Sequence, residues 1–122
     1  MKILLSIKPE FAEKIFNGTK KYEFRRTIFK NEMVRTVVVY ASSPHKRVIG
    51  EFEIEKILEE KIDVLWATTR ETSGITERLF LKYFNKKERG YAIKIKNTLR
   101  YDKELSISDL SHTHPPQSFI YL

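Results

Sequence analysis

The stretch NGTKKYEFRR, Asn17–Arg26, marks the passage from a helix into a strand. Gly18 follows a segment of helical periodicity, and glycine is the residue that most often takes the left-handed conformation where a helix stops. Charged and aromatic residues then alternate, which places Glu23 and Arg25 on one strand face and the two aromatic side chains on the other. We therefore predict a helix that ends at Gly18 and a strand that carries Glu23 and Arg25 on a common face.

The residues before this stretch predict a strand followed by a short helix. KILLSIK, Lys2–Lys8, is an apolar run that ends at Pro9, as expected for a strand. From Pro9 the apolar residues recur with helical spacing, and proline suits the first position of a helix. The sequence thus predicts a two-turn helix over Pro9–Asn17.

The rest of the chain predicts more strands than helices. Residues 62–85 have the apolar spacing of two helices, which Ser73-Gly74 separates, and Asp63 is expected to cap the first. Alternating or β-branched runs predict the strands, namely Arg35–Ser42, Arg47–Leu58, Gly90–Lys96, 98–105 and Ser118–Tyr121. This pattern predicts an α+β fold: a small mixed or mainly antiparallel β-barrel with helices outside it, in a single domain over residues 1–122.

The apolar positions within two of these elements predict which side chains face the core. Gly50 interrupts the long strand Arg47–Leu58 and is expected to mark a bulge or a close backbone approach. Three apolar residues of this strand are expected to point inward, namely Val48, Phe52 and Ile54. The apolar face of the second helix is predicted to consist of Leu79, Phe80, Tyr83 and Phe84.

Charge and composition narrow the classes of function. The chain has 23 Lys and Arg against 16 Asp and Glu, a formal net charge of +7, which favours a polyanionic partner such as RNA, DNA or a nucleotide. It has no cysteine, so disulfides, thiolate metal sites and cysteine nucleophiles are excluded. No apolar run approaches the ~20 residues of a membrane helix, and Met1–Leu5 is too short for a signal peptide. We therefore expect a cytoplasmic protein without a membrane partner.

The opening stretch contains the spacing G-x-K-x-x-E-x-R, formed by Gly18, Lys20, Glu23 and Arg25. Opposite charges two residues apart on a strand can hold each other in place, and an arginine fixed in this way keeps donors for a phosphate or a base edge. A solvated strand face can carry the same charges without any ligand. The spacing alone leaves both interpretations open.

The sequence resembles the ASCH domain family of the PUA-like superfamily of RNA-associated β-barrels. NGTKKYEFRR matches the family signature after its first helix. The segments LLSIKPEFAEKI, VYASSP with VIGEFEI, and PPQSFIYL are similar to one group of small stand-alone members, so the resemblance spans nearly the whole chain. It implies a compact barrel with a cleft beside the first helix, lined by the motif residues, that binds RNA or a modified nucleotide.

The resemblance also implies that enzymatic activity is possible. Some ASCH proteins are amidohydrolases acting on acetylated cytidine, and some are ribonucleases. The amidohydrolase pattern resembles G-x-K-x-x-T-x-R, in which the Thr is the proposed nucleophile and the Lys activates it. This chain has Lys20 but carries Glu23 at the Thr position, and Thr19 is out of register. A carboxylate can act as a base or, less often, as a nucleophile, so the Thr mechanism does not transfer.

Further polar residues extend the candidate site beyond the motif. Lys8 ends the first strand, a polar turn carries hydroxyl and basic side chains, and two prolines give the C-terminal segment a defined direction. Hairpin turns and strand ends are often polar without binding anything. The candidate ligand-binding residues are Lys8, Lys20, Glu23, Arg25, Ser42, Ser43, Lys46, Gln117 and Ser118.

The aromatic and histidine residues of the sequence are expected to have mainly structural roles. Tyr22 and Phe24 are expected in the core, because barrels fill their interior with such residues. Tyr40 and Tyr91 are expected in the core or the cleft wall, and one of them at the rim could stack on a splayed-out base. The loop histidines His112 and His114, and His45 in the polar turn, lack partners at ligand spacing. They predict neither a metal site nor a catalytic base, and no cofactor is expected.

Three hypotheses of different classes follow. The first is a binding module that holds RNA, another single-stranded nucleic acid or a modified nucleotide. In it Lys20 and Arg25 contact phosphate or base, and Glu23 either orients Arg25 or accepts a hydrogen bond from a base amino group. The second is a ribonuclease or a hydrolase of modified nucleosides that uses Lys20 and Glu23 as its catalytic pair. The third is a protein-interaction domain that acts as a coregulator. Salt-dependent RNA binding would separate the first from the third, and product formation that vanishes in Glu23→Gln would separate the second from the first.

Overall fold

The computed structural model describes residues 1–112 and 114–122. Within that part of the chain it contains six strands and three α-helices, together with single 3-10 turns at Arg70–Thr72 and Ser108–Leu110. The order is β1 (Lys2–Ile7), α1 (Pro9–Phe16), β2 (Tyr22–Arg25), β3 (Thr36–Ala41), β4 (Arg47–Lys61), α2 (Ile62–Thr69), α3 (Glu77–Tyr83), β5 (Arg89–Leu105) and β6 (Phe119–Tyr121).

The strands form one mixed sheet in the order β2-β5-β4-β3-β1-β6. β1 and β3 are parallel, and the other neighbouring strands are antiparallel. The sheet curls into a half-barrel with three helices, which confirms the predicted α+β, PUA-like class. β2 and β6 are the two edge strands, and the curl brings the end of β2 close to the residues just before β6.

Apolar side chains cover both faces of the sheet. β3 has the sequence TVVVYA, in which β-branched residues dominate, and five of its six residues are buried. The concave face holds one cluster with alternate residues of β1, β3, β4 and β5, and α1 closes it with Ala12 and Ile15. The convex face has a second cluster in which Phe80 of α3 and Phe84, which directly follows that helix, pack against Phe24 of β2. Sandwiched between helices, β2 is covered on both faces.

A bulge in β4 changes the orientation of its first residues. The pairing register shifts between Val48 and Gly50 on β4 and between Val39 and Tyr40 on β3, as Gly50 predicted. Val48 therefore packs on the convex face, whereas Phe52 belongs to the concave cluster. The prediction that both point to the same side is wrong, because the extra residue inverts the alternation of side chains.

Three other local predictions differ from the structure. The predicted strand over residues 98–105 is the second half of β5, which continues unbroken because β4 pairs with it along its length. Asp63 lies inside α2 and does not cap it, since Lys61 occupies the cap position. In α3, Phe80 is buried, but Leu79 and Tyr83 are 45% and 38% exposed, because a helix of seven residues covers only a narrow stripe.

The helices of the described chain are short. The longest have eight residues, and none is long and apolar enough to cross a membrane, a crossing that needs about 20 residues.

Candidate functional site

The turn from α1 into β2 directs Lys20 toward the protein interior. Gly18 has a φ of +87°, which confirms the predicted helix stop. The backbone N–H groups of Thr19 and Lys20 both donate to the Lys14 carbonyl oxygen at 3.0 Å, so the chain reverses tightly after α1. This turn places the side chain of Lys20 between α1, β2 and the loop before α3.

The ammonium group of Lys20 lies in a closed pocket. Only 2% of the residue is exposed, and Nζ donates to the Ser73 carbonyl oxygen at 2.7 Å. The same nitrogen lies 5.2 Å and 4.9 Å from the ring centroids of Phe11 and Phe24, within cation–π range. Desolvation lowers the pKa of Lys20 to about 8, and the negative charge of Glu23 opposes that shift.

Gly74 completes this pocket. Its φ is +71°, and a Cβ at this position would lie 2.5 Å from both Cβ and Cγ of Lys20. Glycine is therefore required twice here, once by the backbone conformation and once by the close approach of the lysine stem. The Ser73-Gly74 break between the helices, which the sequence predicted, thus forms one wall around Lys20.

Glu23 and Arg25 form a second, connected part of the site. Their side chains lie on the concave face of β2, opposite Tyr22 and Phe24, and Nη1 of Arg25 is 3.4 Å from Oε2 of Glu23. Both predictions from the alternating sequence are confirmed: the two charged residues are in contact, and the two aromatic residues are buried in the core. Burial raises the pKa of Glu23, while the charges of Arg25 and then Lys20 act in the opposite direction.

Arg25 also joins the two edges of the sheet. Its Nη2 donates to the Ser118 carbonyl oxygen at 3.0 Å, immediately before β6. Close to this bond, the rings of Phe29 and Phe119 pack edge to face with centroids 6.0 Å apart. These two contacts define the barrel seam, where the segment after β2 meets β6. The charged motif therefore lies at the line along which the half-barrel closes.

The other predicted site residues lie around the ends of β1 and β3 and in the segment before β6. The hydroxyl of Ser6 donates to the Pro116 carbonyl oxygen at 2.8 Å, and the N–H of Ser42 donates to the Ile7 carbonyl oxygen at 2.9 Å. Ser42 and Ser118 are half-buried, whereas four other candidates are exposed at strand ends or in turns, namely Lys8, Ser43, Lys46 and Gln117. Of the candidate residues, those that share direct side-chain or charge interactions are Lys20, Glu23, Arg25 and Ser118.

Four residues near the motif were not predicted as part of the site. Phe11 was predicted only as part of the apolar face of α1, and Ser73 and Gly74 only as a helix break; all three touch Lys20. Tyr83 of α3 lies close to Arg25: burial raises the pKa of its phenol, and the charge of Arg25 partly offsets this effect. Among these residues, only Gly74 could have been noticed from the sequence, because a glycine just before a predicted helix indicates an unusual backbone conformation.

The arrangement alternates in charge and becomes more buried along its length. Arg25 keeps 13% of its side chain exposed and Glu23 9%, whereas Lys20 is nearly inaccessible. Arg25 is therefore the most accessible of the three charged side chains. A guanidinium can bind a phosphate or a base edge through paired donors. Behind it, burial lowers the pKa of Lys20 and raises the pKa of Glu23. No group of three or more metal-ligating side chains occurs among residues 1–112 and 114–122. Thr113, between the two loop histidines, lies outside the described residues.

Open concavities lie beside the motif and elsewhere on the surface. One of about 490 Å³ adjoins the end of β2 and is lined by basic residues and Tyr91. Two others, of about 530 and 460 Å³, are formed around Arg35 and Ile54 at some distance along the sheet. Tyr40, the other aromatic considered for a cleft rim, is 5% exposed and belongs to the convex core.

Comparisons with known proteins agree with this geometry. Crystal structures of ASCH from Zymomonas mobilis superpose with a TM-score of 0.91 at 28% identity, covering 99% of this chain and 87% of that one. A mutant of the same protein with a single Ser-to-Ala change gives a TM-score of 0.91 at 27% identity, with the same coverage. An ASCH domain-containing ribonuclease of Zymomonas mobilis is 29% identical over 124 residues, which cover 98% of this chain and 82% of the relative.

Two relatives from Ureaplasma parvum are much longer than this chain. They are named ATP synthase subunit alpha and large ribosomal subunit protein uL22, and they are 31% and 30% identical over 121 residues. The match covers 98% of this chain but only 15% and 39% of those proteins. The ASCH domain signature itself matches residues 5–99, which include α1, the charged motif, the Ser73-Gly74 wall and most of the sheet. The chain therefore belongs to the ASCH domain family.

Proposed function

We propose that this ASCH domain binds RNA or a modified nucleotide at the barrel seam, with Arg25 as the residue that contacts phosphate or base. The observation that carries the proposal is the fixed position of Arg25, whose guanidinium is held by Glu23 and by the Ser118 carbonyl beside an open basic concavity. A guanidinium held in this way loses little conformational entropy when a ligand binds. Glu23 orients Arg25, and the buried charge of Lys20 stabilises Glu23.

Two further facts support a nucleic-acid partner. The net charge of +7 attracts a polyanion and releases counterions from it on binding. A relative of similar length, 29% identical, is named as a ribonuclease. The burial of Lys20 favours a supporting role for this residue over direct phosphate contact, because its ammonium group already donates to Ser73 inside a closed pocket.

The test is a titration of fluorescently labelled single-stranded RNA and of a panel of modified nucleosides against Arg25→Ala. We expect affinity to fall by about 1–3 kcal/mol, roughly 5- to 150-fold, the range for charge-assisted hydrogen bonds and good base contacts. Lys103→Ala is the control, since it removes the same unit of charge from an exposed position of β5. Its effect should be small, because exposed charges are screened over about 8–10 Å. Equal losses in both variants would mean that general surface charge, and not the seam, holds the RNA.

Cleavage of the bound RNA is a second candidate function. It is favoured by a specific observation, the pairing of Lys20, whose pKa is lowered to about 8, with Glu23, whose pKa is raised. Two neighbouring groups with pKa values moved toward neutrality are suited to general acid–base chemistry. The same pair would serve hydrolysis of a modified nucleoside, and both reactions require substrate to reach Glu23 past Arg25.

Glu23→Gln distinguishes binding from cleavage. The substitution keeps the shape of the side chain but removes its charge and its ability to accept a proton. If the domain only binds, wild type leaves the RNA intact, and the variant still binds because the Ser118 carbonyl oxygen continues to hold Arg25. If the domain cleaves, wild type releases shorter oligonucleotides and Glu23→Gln does not, while still binding. Gel separation of labelled RNA after incubation reads out both results, and cleavage by the variant at the wild-type rate would exclude Glu23 from the chemistry.

A further inference from the structure

The basic concavity beside Arg25 has a half-exposed tyrosine in its wall. We call it the Tyr91 groove; it has a volume of about 490 Å³ and is lined by Arg26, Thr27, Ile28, Glu59, Tyr91 and the segment 86–89. This volume lies in the range of pockets that hold small organic ligands of nucleotide size. Lys20 does not line this groove, and Arg26 and Thr27, which directly follow β2, form part of its wall.

Strand register places Tyr91 next to Arg25. Arg25 of β2 pairs directly with Tyr91 of β5, and Tyr91 pairs with Glu59 of β4. Residues that are directly paired across strands project from the same face with Cβ atoms about 5 Å apart. Arg89 precedes Tyr91 by two residues on the same strand and shares its face. Tyr91 therefore shares its face of the sheet with Arg25 on β2 and with Arg89 on β5.

The charges around the groove are positive in excess. Four basic residues line it, namely Arg26, Lys86, Lys87 and Arg89, against two carboxylates, Glu59 and Glu88. Arg26 is fixed, since its Nη1 donates to the carbonyl oxygens of Tyr83 and Asn85 at 2.8 and 3.0 Å. Arg89 has its Nε 3.7 Å from Oε2 of Glu59 and donates from Nη2 to the Glu59 carbonyl oxygen at 3.3 Å, and both side chains are half exposed. Such a surface pair contributes little and is readily exchanged for a phosphate.

We propose that the Tyr91 groove binds the nucleotide adjacent to the one held at Arg25 in single-stranded RNA. Its base stacks on the ring of Tyr91, and its phosphate contacts the basic segment at Lys87 and Arg89. Aromatic stacking next to backbone-contacting cations is how proteins hold single-stranded nucleic acid, because every base has a π-face. A duplex does not suit the groove, since its bases are already stacked and paired. The inference rests on the proposed function and adds the strand form of the ligand and a second subsite.

The test compares a single nucleotide with a single-stranded RNA of about eight nucleotides, a length within the range that one small domain covers. Tyr91→Leu removes the ring but keeps an apolar side chain, and Tyr91→Phe keeps the ring. Tyr101→Leu is the matched control, because Tyr101 is a half-buried tyrosine of the same strand that lies outside the groove and donates to Glu51. Circular dichroism and thermal melting establish that each variant is folded before binding is measured.

We expect Tyr91→Leu to weaken the RNA about 5- to 150-fold, the effect of losing one stacked base, and to leave the single nucleotide unchanged. Tyr91→Phe and Tyr101→Leu should bind both ligands as wild type does. Lys87→Ala should reduce the slope of log affinity against log salt by about 0.7, the value for one phosphate contact on a single strand. Wild-type RNA affinity in Tyr91→Leu, or an equal loss for RNA and single nucleotide, would overturn the proposal.

The failure of this inference can be told apart from the failure of the proposed function. If Arg25→Ala weakens RNA binding while Tyr91→Leu does not, the seam binds RNA and the groove does not. If wild type binds neither the RNA nor any single nucleotide, the proposed function fails and the groove proposal with it.

Discussion

Replacing Lys20 with methionine should change how the stability of the protein depends on pH. Lys20 is almost fully buried, and desolvation lowers its pKa from 10.5 to about 8. Between these two values the unfolded chain binds a proton at this lysine that the folded chain does not. The free energy of unfolding therefore rises with pH across that window, because alkaline conditions remove the penalty of burying a charge. Methionine has a similar length and no charge, so the variant lacks this rise.

The size of the effect follows from the two pKa values. A shift of this extent corresponds to a penalty of about 3 kcal/mol near neutral pH, since one pKa unit is worth about 1.4 kcal/mol. The penalty falls to about 1 kcal/mol near pH 10, where the unfolded lysine also begins to lose its proton. Relative to Lys20→Met, the wild type should therefore gain about 2 kcal/mol of unfolding free energy between about pH 8 and about pH 10.

Urea denaturation of both proteins at several pH values measures this difference directly. Only the change with pH is informative, because the substitution also deletes the hydrogen bond to the Ser73 carbonyl oxygen. This loss lowers the free energy of unfolding of the variant by a similar amount at every pH. Lys103→Met is the control, since Lys103 is exposed on β5 and its removal should leave the pH dependence as in wild type. Parallel curves for wild type and Lys20→Met would refute the reasoning and would mean that Lys20 keeps its ordinary pKa in the folded protein.

Three further predictions concern stability and are each measured by denaturant unfolding. Gly74→Ala should lower the free energy of unfolding more than Gly18→Ala does. Both positions have positive φ, which costs alanine about 1–2 kcal/mol, but only at Gly74 would the new Cβ collide with Lys20. Equal losses of stability would contradict the packing described for Lys20. Phe80→Ala should destabilise by about 3–5 kcal/mol, because the ring is fully buried among aromatic neighbours, whereas a loss under about 1 kcal/mol would mean that α3 is detached from the sheet. Arg100→Ala should cost less than about 1 kcal/mol despite its two short hydrogen bonds to Glu13, since both side chains are half exposed, and a larger loss would show that this pair is structural.

Much of the motif's local geometry could be predicted because it depends on neighbours in the sequence. The stop at Gly18 follows from a backbone conformation that glycine favours, and the contact between Glu23 and Arg25 follows from the two-residue period of a strand. The strand pattern could not show whether the face that carries Glu23 and Arg25 is solvated or covered. Burial of Glu23 depends on where α1 and the strand β6 pack, and a strand pattern carries no information about what lies over it.

The contacts that decide the chemistry of the site join residues far apart in the chain. Lys20 donates to Ser73, 53 residues later, and Arg25 donates to Ser118, 93 residues later. No periodicity links such positions, and both acceptors are backbone carbonyls, which every residue possesses. The bulge at Gly50 had the same consequence on a smaller scale, since a single inserted residue inverted the face on which Val48 packs. Sequence patterns therefore predict the elements and their faces, whereas the acceptors of buried donors require the tertiary path.

The gradient of burial along the motif couples ligand binding to proton binding. Interactions between charges are stronger where water is excluded, so a phosphate that reaches Arg25 also acts on Glu23 behind it. Burial raises the pKa of Glu23, the charge of Arg25 opposes that rise most strongly, and a bound phosphate would compete for the Arg25 guanidinium. Glu23 would then hold its proton more tightly, while Lys20, which depends on the charge of Glu23, would release its own more readily. By linkage, RNA affinity and the protonation of this pair must depend on each other, whether the domain only binds its ligand or also cleaves it.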